Sequence, residues 1–327
     1  MLKIINGGIE ALVEDWPGRL GYLGKGMAPS GAFDNVALGL GNLLVGNPPG
    51  EAGLEITGGL FEAEFEQETV IAITGADMKP KLDGQAVPLW ESFKVKKGAV
   101  IKFGNVSGDG FRSYLCLAGG VDVPPYLGSK STCLFGSYGG FEGRRLAKGD
   151  QLPLGRPRKS LDELIGRKLK KGVIPTYTRH WELRAIPGPN SSPDYATPEG
   201  MAYLFSHPFK IQTTSNRSAY RLEALPDSFF ARPDGGVGGS HPSNIIDHGY
   251  AIRGALNICG NTPILLIADG PTLGGYMCAL QVIYADLWKI GQGALGRDTI
   301  RFVLSNQEEA VQARIAQRRL LSEESLA

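Results

Sequence analysis

The sequence predicts a mainly β protein of two domains with a few short helices. Three observations predict it. The chain has 327 residues, long enough for two hydrophobic cores. It carries 46 glycines and 21 prolines, a composition suited to many short strands joined by turns. Its apolar runs are brief, and each is closed by Gly, Pro, Asn or Asp.

The elements follow in chain order. Asp34 caps a helix whose Val36, Leu40 and Leu44 recur every fourth residue, and Gly46 stops it. Val70 to Thr74, Val100 to Phe103 and Tyr114 to Ala118 read as strands. Ser160-Leu161-Asp162-Glu163 is a capping box that opens a short helix. Ile264 to Ala268 and Ile300 to Leu304 are further strands, and Tyr284 to Ile290 is a helix or helical turn between them. Glu308 to Leu321 is a charged C-terminal helix. The expected domains are 1–155, β-rich; 156–175, a basic, proline-containing linker with the short helix; 176–305, a second β domain; and 306–327, a helix or tail. Gly149-Asp150 and Gly296-Arg297-Asp298 each run into a strand near the end of a β-rich block, a hint of two similar barrels.

Composition excludes several classes. Net charge is +1, from 34 basic and 33 acidic residues, so no polyanion and no nucleic acid is implied as partner. No apolar run reaches the length of a membrane span, and the N-terminus lacks the apolar stretch of a signal peptide. Cys116, Cys133, Cys259 and Cys278 are widely spaced, the pattern of reduced thiols in a cytoplasmic protein. Nucleotide P-loop, dinucleotide glycine fingerprint, serine elbow and His-Glu-x-x-His are all absent. His180, His207, His241 and His248 lack metal spacing, so no metal is expected.

The stretch from Arg232 to Asn244 holds Gly235, Gly236, Gly238 and Gly239, followed by Ser240, His241, Ser243 and Asn244. Such a run lets the main chain approach a ligand and delivers small donors and acceptors behind it. Met27 to Asp34 is a turn feeding a helix N-terminus, whose N–H groups either receive an anion at Ser30 or only cap the helix. Lys130, among the hydroxyls of Gly128-Ser129-Lys130-Ser131-Thr132, either holds a carboxylate or is simply exposed. Ser215-Asn216-Arg217-Ser218 sets a guanidinium beside an amide, a pairing suited to ureido or carboxylate groups. Thr74-Gly75-Ala76-Asp77 ends a strand in an Asx-type turn. Asp269-Gly270-Pro271-Thr272-Leu273-Gly274-Gly275 places a carboxylate at another strand end.

Taken in order, Pro29-Ser30-Gly31-Ala32-Phe33-Asp34, Leu54-Glu55-Ile56-Thr57, Thr74-Gly75-Ala76-Asp77, Gly119-Gly120-Val121-Asp122-Val123-Pro124 and Gly128-Ser129-Lys130-Ser131-Thr132 resemble the biotin-dependent carboxyltransferase family. That family includes the carboxyltransferase region of urea carboxylase, allophanate hydrolase subunit 2 and a subunit of bacterial 5-oxoprolinase. Ser215-Asn216-Arg217, Gly238-Gly239-Ser240-His241-Pro242-Ser243-Asn244 and the Asp269 motif look like the urea carboxylase branch. The resemblance implies cyclophilin-like β-barrel domains. It also implies transfer of a carboxyl group from carboxybiotin to a urea-like nitrogen. A smaller carboxyltransferase subunit would complete the site, and biotin-carrier and biotin-carboxylase domains would deliver the biotin. An ATP-dependent 5-oxoprolinase subunit and a non-catalytic binding or regulatory subunit are the alternatives within the family. The chain has no biotin-attachment Met-Lys-Met; Met78-Lys79-Pro80 only echoes one. Residue chemistry then nominates Ser240, His241 and Asn244 as catalytic donors. Asn216, Arg217, Asp269, Ser30 and Lys130 are nominated for substrate, and Gly238 and Gly239 for main-chain approach to the cofactor.

Overall fold

The computed structural model describes residues 1–232, 235–245, 252–270 and 275–327. His248 and the Pro271 to Gly274 part of the Asp269 motif lie outside the described residues, as do Pro233 and Asp234. The chain is mainly β, with sheet-rich architecture in two compact units. The first comprises residues 1–20, 29–178 and 316–327; the second comprises 21–28 and 179–315.

The first unit opens with β1 (Leu2–Gly7) and β2 (Glu10–Glu14), then α1 (Asn35–Leu44). There follow β3 (Gly53–Thr57), β4 (Phe61–Phe65), β5 (Thr69–Gly75), β6 (Lys81–Leu82), β7 (Gln85–Ala86), β8 (Ser92–Val95), β9 (Val100–Lys102), β10 (Arg112–Leu117), β11 (Gln151–Leu152) and α2 (Leu161–Leu164). Among the described residues they make two antiparallel sheets, ordered β11-β1-β4-β9-β6-β7 and β2-β3-β10-β5-β8. β5 and β10 are buried along their whole length, so their apolar runs are continuous rather than alternating. One core joins side chains from both sheets, among them Leu2, Phe61, Phe65, Ile73, Phe103 and Leu115.

Asp34 caps α1 as the spacing predicts: its Oδ1 accepts from the N–H of Val36 at 3.0 Å and of Ala37 at 2.8 Å. Every residue of α1 is buried, so no polar face is visible in its sequence. The Ser160–Glu163 capping box opens α2. Gly75 leaves β5 at φ 90°, and a Cβ there would lie 2.3 Å from the Arg112 carbonyl oxygen, so only glycine fits. Asp77 Oδ1 then accepts the Lys79 N–H at 2.7 Å, forming the expected Asx turn.

The second unit holds β12 (His180–Pro187), α3 (Pro198–Ser206), β13 (Phe209–Lys210), β14 (Ala219–Arg221), β15 (Ala255–Cys259), β16 (Thr262–Leu266), β17 (Cys278–Val282), α4 (Leu287–Gln292) and β18 (Thr299–Leu304), with α5 (Gln307–Leu320) leading out of it. Its sheet runs β13-β18-β12-β17-β15-β16-β14. All pairings are antiparallel except β12 with β18, which run parallel from His180 opposite Thr299 to Ala185 opposite Leu304. The Gly-Asp turns that end the two β-rich blocks thus lead to strands of different standing. β11 is a two-residue edge strand, whereas β18 lies inside its sheet.

Candidate functional site

The structure separates the nominated residues into three groups. Ser30 and Lys130 belong to the first unit, and the others to the second.

In the first unit, Ser30 is fully buried with φ 55°. It leads into a buried polar chain at the start of α1. Phe33 N–H donates to Glu55 Oε2 at 2.8 Å, and Asp34 N–H donates to the Tyr114 hydroxyl at 2.7 Å. That hydroxyl donates to Glu55 Oε2 at 2.7 Å. Tyr177 donates to Asp34 Oδ2 at 3.1 Å. Arg112 stacks on Phe33, 4.1 Å from the ring centre, and faces Glu55 Oε1 at 3.4 Å. Burial beside these carboxylates pushes both tyrosine hydroxyls well above their ordinary range, so they stay protonated donors.

The Gly128 to Thr132 loop does hold a carboxylate, that of Asp15 in the same chain. Ser129 Oγ at 2.8 Å, Ser131 Oγ at 2.5 Å and Lys130 N–H at 2.6 Å all donate to it. The Lys130 ammonium donates to the Val121 carbonyl at 3.0 Å and meets Glu51 at 3.4 Å and Asp122 at 3.9 Å.

In the second unit, Asn216 and Arg217 sit on the turn before β14. Asn216 Oδ1 accepts the N–H groups of Ser218 at 2.8 Å and Ala219 at 3.3 Å, which shapes the turn. Beyond β16 the chain keeps pairing with this turn: Ile267 N–H donates to the Ser218 carbonyl and Asp269 N–H to that of Arg217. Arg217 Nε reaches Asp269 Oδ2 at 3.2 Å, and both side chains are almost wholly buried. Asp269 Oδ1 is buried with no hydrogen-bond partner among the described residues.

The glycine run behaves differently. Val237 to Gly239 form a short 3-10 turn, and Gly238 and Gly239 have φ of 64° and 74°. Both are exposed, with open space where a side chain would project. Gly236 is instead tightly enclosed, since a Cβ would meet the His241 carbonyl oxygen at 2.3 Å. Ser240 closes the turn with its N–H on the Val237 carbonyl. Asn244 N–H donates to the His241 carbonyl, and Asn244 bridges to Tyr276. His241 is engaged at both ring nitrogens: Nδ1 with Ser243 Oγ at 2.9 Å, Nε2 with Asn261 Oδ1 at 2.8 Å.

His241 and Asp269 therefore lie off opposite ends of β16, because Asn261 immediately precedes that strand and Asp269 follows it. Five residues of β-strand at about 3.3 Å each place them roughly 15 Å or more apart. The structure groups Asn216, Arg217 and Asp269, and separately Gly238, Gly239, Ser240, His241 and Asn244. Asn261 is a contributor outside the nominated set. Its signal, Gly260-Asn261 between two apolar runs, marks a hairpin turn and says nothing of a histidine partner. Among the described residues no cluster of His, Cys, Asp and Glu could hold a metal ion, and no helix is long and apolar enough to cross a membrane.

The mainly β units and the ordered sequence motifs agree with the class of carboxyltransferase domains. Residues 25–304 match the family described as "Carboxyltransferase domain, subdomain A and B", and the chain belongs to that family. It is 38% identical over 323 residues to a putative urea carboxylase of Emericella nidulans, covering 98% of this chain and 26% of that protein. It is 36% identical over 322 residues to a 5-oxoprolinase subunit of Escherichia coli, covering 98% of this chain and 96% of that protein. The crystal structure of Kluyveromyces lactis urea carboxylase superposes with a TM-score of 0.90 at 33% identity, covering 100% of this chain and 30% of that one. The chain thus spans about a quarter of the Emericella relative it matches.

Proposed function

We propose that the chain is a carboxyltransferase component that adds a carboxyl group to a urea-like nitrogen acceptor, working with a smaller subunit or domain of the same family. The observation that carries this reading is Asp269 Oδ1, a buried carboxylate oxygen with no partner among the described residues. Leaving such an acceptor unmade costs about 1–3 kcal/mol or more. Urea and guanidine present the N–H donors that would satisfy it. Arg217 orients Asp269 through Oδ2, leaving Oδ1 for the acceptor. Asn216 shapes the turn that carries Arg217.

Carboxylated biotin on a carrier domain would supply the carboxyl group. The Gly238–Asn244 loop lies off the other end of β16 from Asp269, so its exposed glycine main chain would guide the arriving carrier domain rather than hold the carboxyl group at the acceptor, and His241 holds that loop in shape. Within the first unit, Ser30 and Lys130 shape the loops around α1 and Asp15.

The test is a carboxyl-transfer assay with the chain, its smaller partner and carboxybiotinylated carrier, offered urea, guanidine, simple amides and 5-oxoproline. Transfer to urea or guanidine that Asp269→Asn lowers at least tenfold, about 1.4 kcal/mol, is the expected result. Transfer unaffected by that substitution overturns the assignment of Asp269. A second reading, an ATP-dependent 5-oxoprolinase subunit, is favoured by the end-to-end match to the Escherichia coli protein. Cleavage of 5-oxoproline without biotin would select it.

A further inference from the structure

Arg19 is the most unusual cation of the first unit. It is 1% exposed, and its Nε and Nη1 have no hydrogen-bond partner among the described residues. Nη2 donates to the Ser131 carbonyl. The guanidinium lies 4.8 Å from the Tyr138 ring centre and 5.8 Å from that of Tyr126. An arginine does not lose its proton in a protein, so a full positive charge is held here with donors unused. The neighbouring anions are already engaged. Asp15 takes its hydrogen bonds from Ser129, Lys130 and Ser131, and Glu142 pairs with Arg144 at 2.6 Å. Aromatic faces stabilise a desolvated cation, but by less than burying an unpaired ion costs.

A cavity of about 510 Å³ adjoins this guanidinium, walled by the same Tyr126 and Tyr138 together with Pro124, Pro125, Gly139 and Phe141. Gly139 is required: a Cβ on it would lie 1.8 Å from Arg19 Nη2. The walls are largely apolar and aromatic; the one charged side chain among them, Glu142, is paired with Arg144, and the Arg19 guanidinium lies behind the two tyrosines. Tyr126 is 44% exposed, so its ring can swing aside and uncover Arg19.

The geometry points to a binding site in the first unit for a small organic monocarboxylate, its carboxylate on Arg19 and its apolar body between Tyr126, Phe141 and the two prolines. Its residues are other than the Arg217–Asp269 pair proposed for the acceptor. One charge selects a monoanion over a phosphate ester, and the apolar walls select a hydrocarbon or aromatic body over bare acetate.

The experiment is calorimetric titration of the 327-residue chain with benzoate, hexanoate and acetate, and with benzamide and hexanamide as neutral isosteres. Saturable one-to-one binding of benzoate or hexanoate, at least about tenfold tighter than the matching amide, is expected. Arg19→Met should remove that preference while thermal unfolding stays cooperative. If that variant does not fold, Tyr126→Trp supplies the second readout: its fluorescence should change saturably with the acids and not with the amides. No saturable binding in the millimolar range, equal binding of acid and amide, or acetate as good as benzoate would each overturn the proposal. So would undiminished binding by a folded Arg19→Met chain.

Discussion

Asn261 fixes the tautomer of His241. Its Nδ2 donates to the Leu225 carbonyl at 2.9 Å and to Asp227 Oδ1 at 2.7 Å, which turns Oδ1 toward His241 Nε2 at 2.8 Å. The imidazole therefore carries its hydrogen on Nε2 and accepts through Nδ1 from the Ser243 N–H at 3.2 Å. A histidine held this way positions a loop. Replacing His241 with Ala should cost about 1–2 kcal/mol and speed hydrogen exchange at the Ser243 and Asn244 amides. Exchange rates identical to the unaltered chain would remove His241 from this role. Asn261→Leu should reproduce the faster exchange, because it removes the partner that sets the tautomer.

Arg217 and Asp269 form a buried pair whose two members cannot be removed singly without leaving a charge alone. Asp269→Asn should destabilise the chain by about 3 kcal/mol in urea unfolding. Adding Arg217→Met should return part of that loss. A double variant no more stable than the single one would show that the two side chains do not depend on each other.

Asp286 gives a pH signature. Burial pushes its carboxyl up, but the hydrogen bonds from Arg184 and the nearby Lys289 charge outweigh this and hold it below the usual carboxylate range. Arg184 donates from its backbone at 2.9 Å, from Nε at 3.0 Å and from Nη2 at 2.8 Å. A depressed native value means the stabilisation is present above the unfolded value of about 3.9 and is lost as pH falls through the lower native one. Unfolding free energies of the unaltered chain and Asp286→Asn should differ at neutral pH and converge below about pH 4. A constant gap across that window would refute the linkage.

The four thiols should react in a definite order. Burial pushes Cys116 far up and Cys278 up to about 12, so neither offers thiolate at neutral pH. Cys133 is buried as well, whereas Cys259 is partly accessible. Iodoacetamide followed by peptide mass spectrometry should find Cys259 labelled first in the folded protein. Early labelling of Cys116 would contradict the packing around β10.

What is legible in the sequence divides along physical lines. β5, β10, β16 and β18 are visible because their apolar runs carry their own signal, and α1 because Asp34 and Gly46 bracket it. Two-residue strands such as β6, β7 and β13 are not, since their partners rather than their composition make them strands. Within the site, residue chemistry finds Arg217 and Asp269, which pair across 52 positions of sequence. It does not foresee that β16 holds Asp269 away from His241, because spacing along a chain does not report which end of a strand a loop occupies. The network of Glu55, Tyr114 and Asp34 is also hidden, because each segment carries its own signal but nothing in the sequence says that the three side chains meet.

The parallel pairing of β12 with β18 has a consequence for how the chain is made. During synthesis β12 leaves the ribosome long before residues 299–304 exist to flank it. Until then its neighbour on the other side, β17, meets it only from Ala185 to Pro187. Since β17 is itself made only shortly before β18, the nascent second unit must carry β12 open on both sides for most of its translation, the condition in which chains recruit holding chaperones or join one another. A premature stop a few codons before β18 would leave β13 without its partner and β12 as a bare edge.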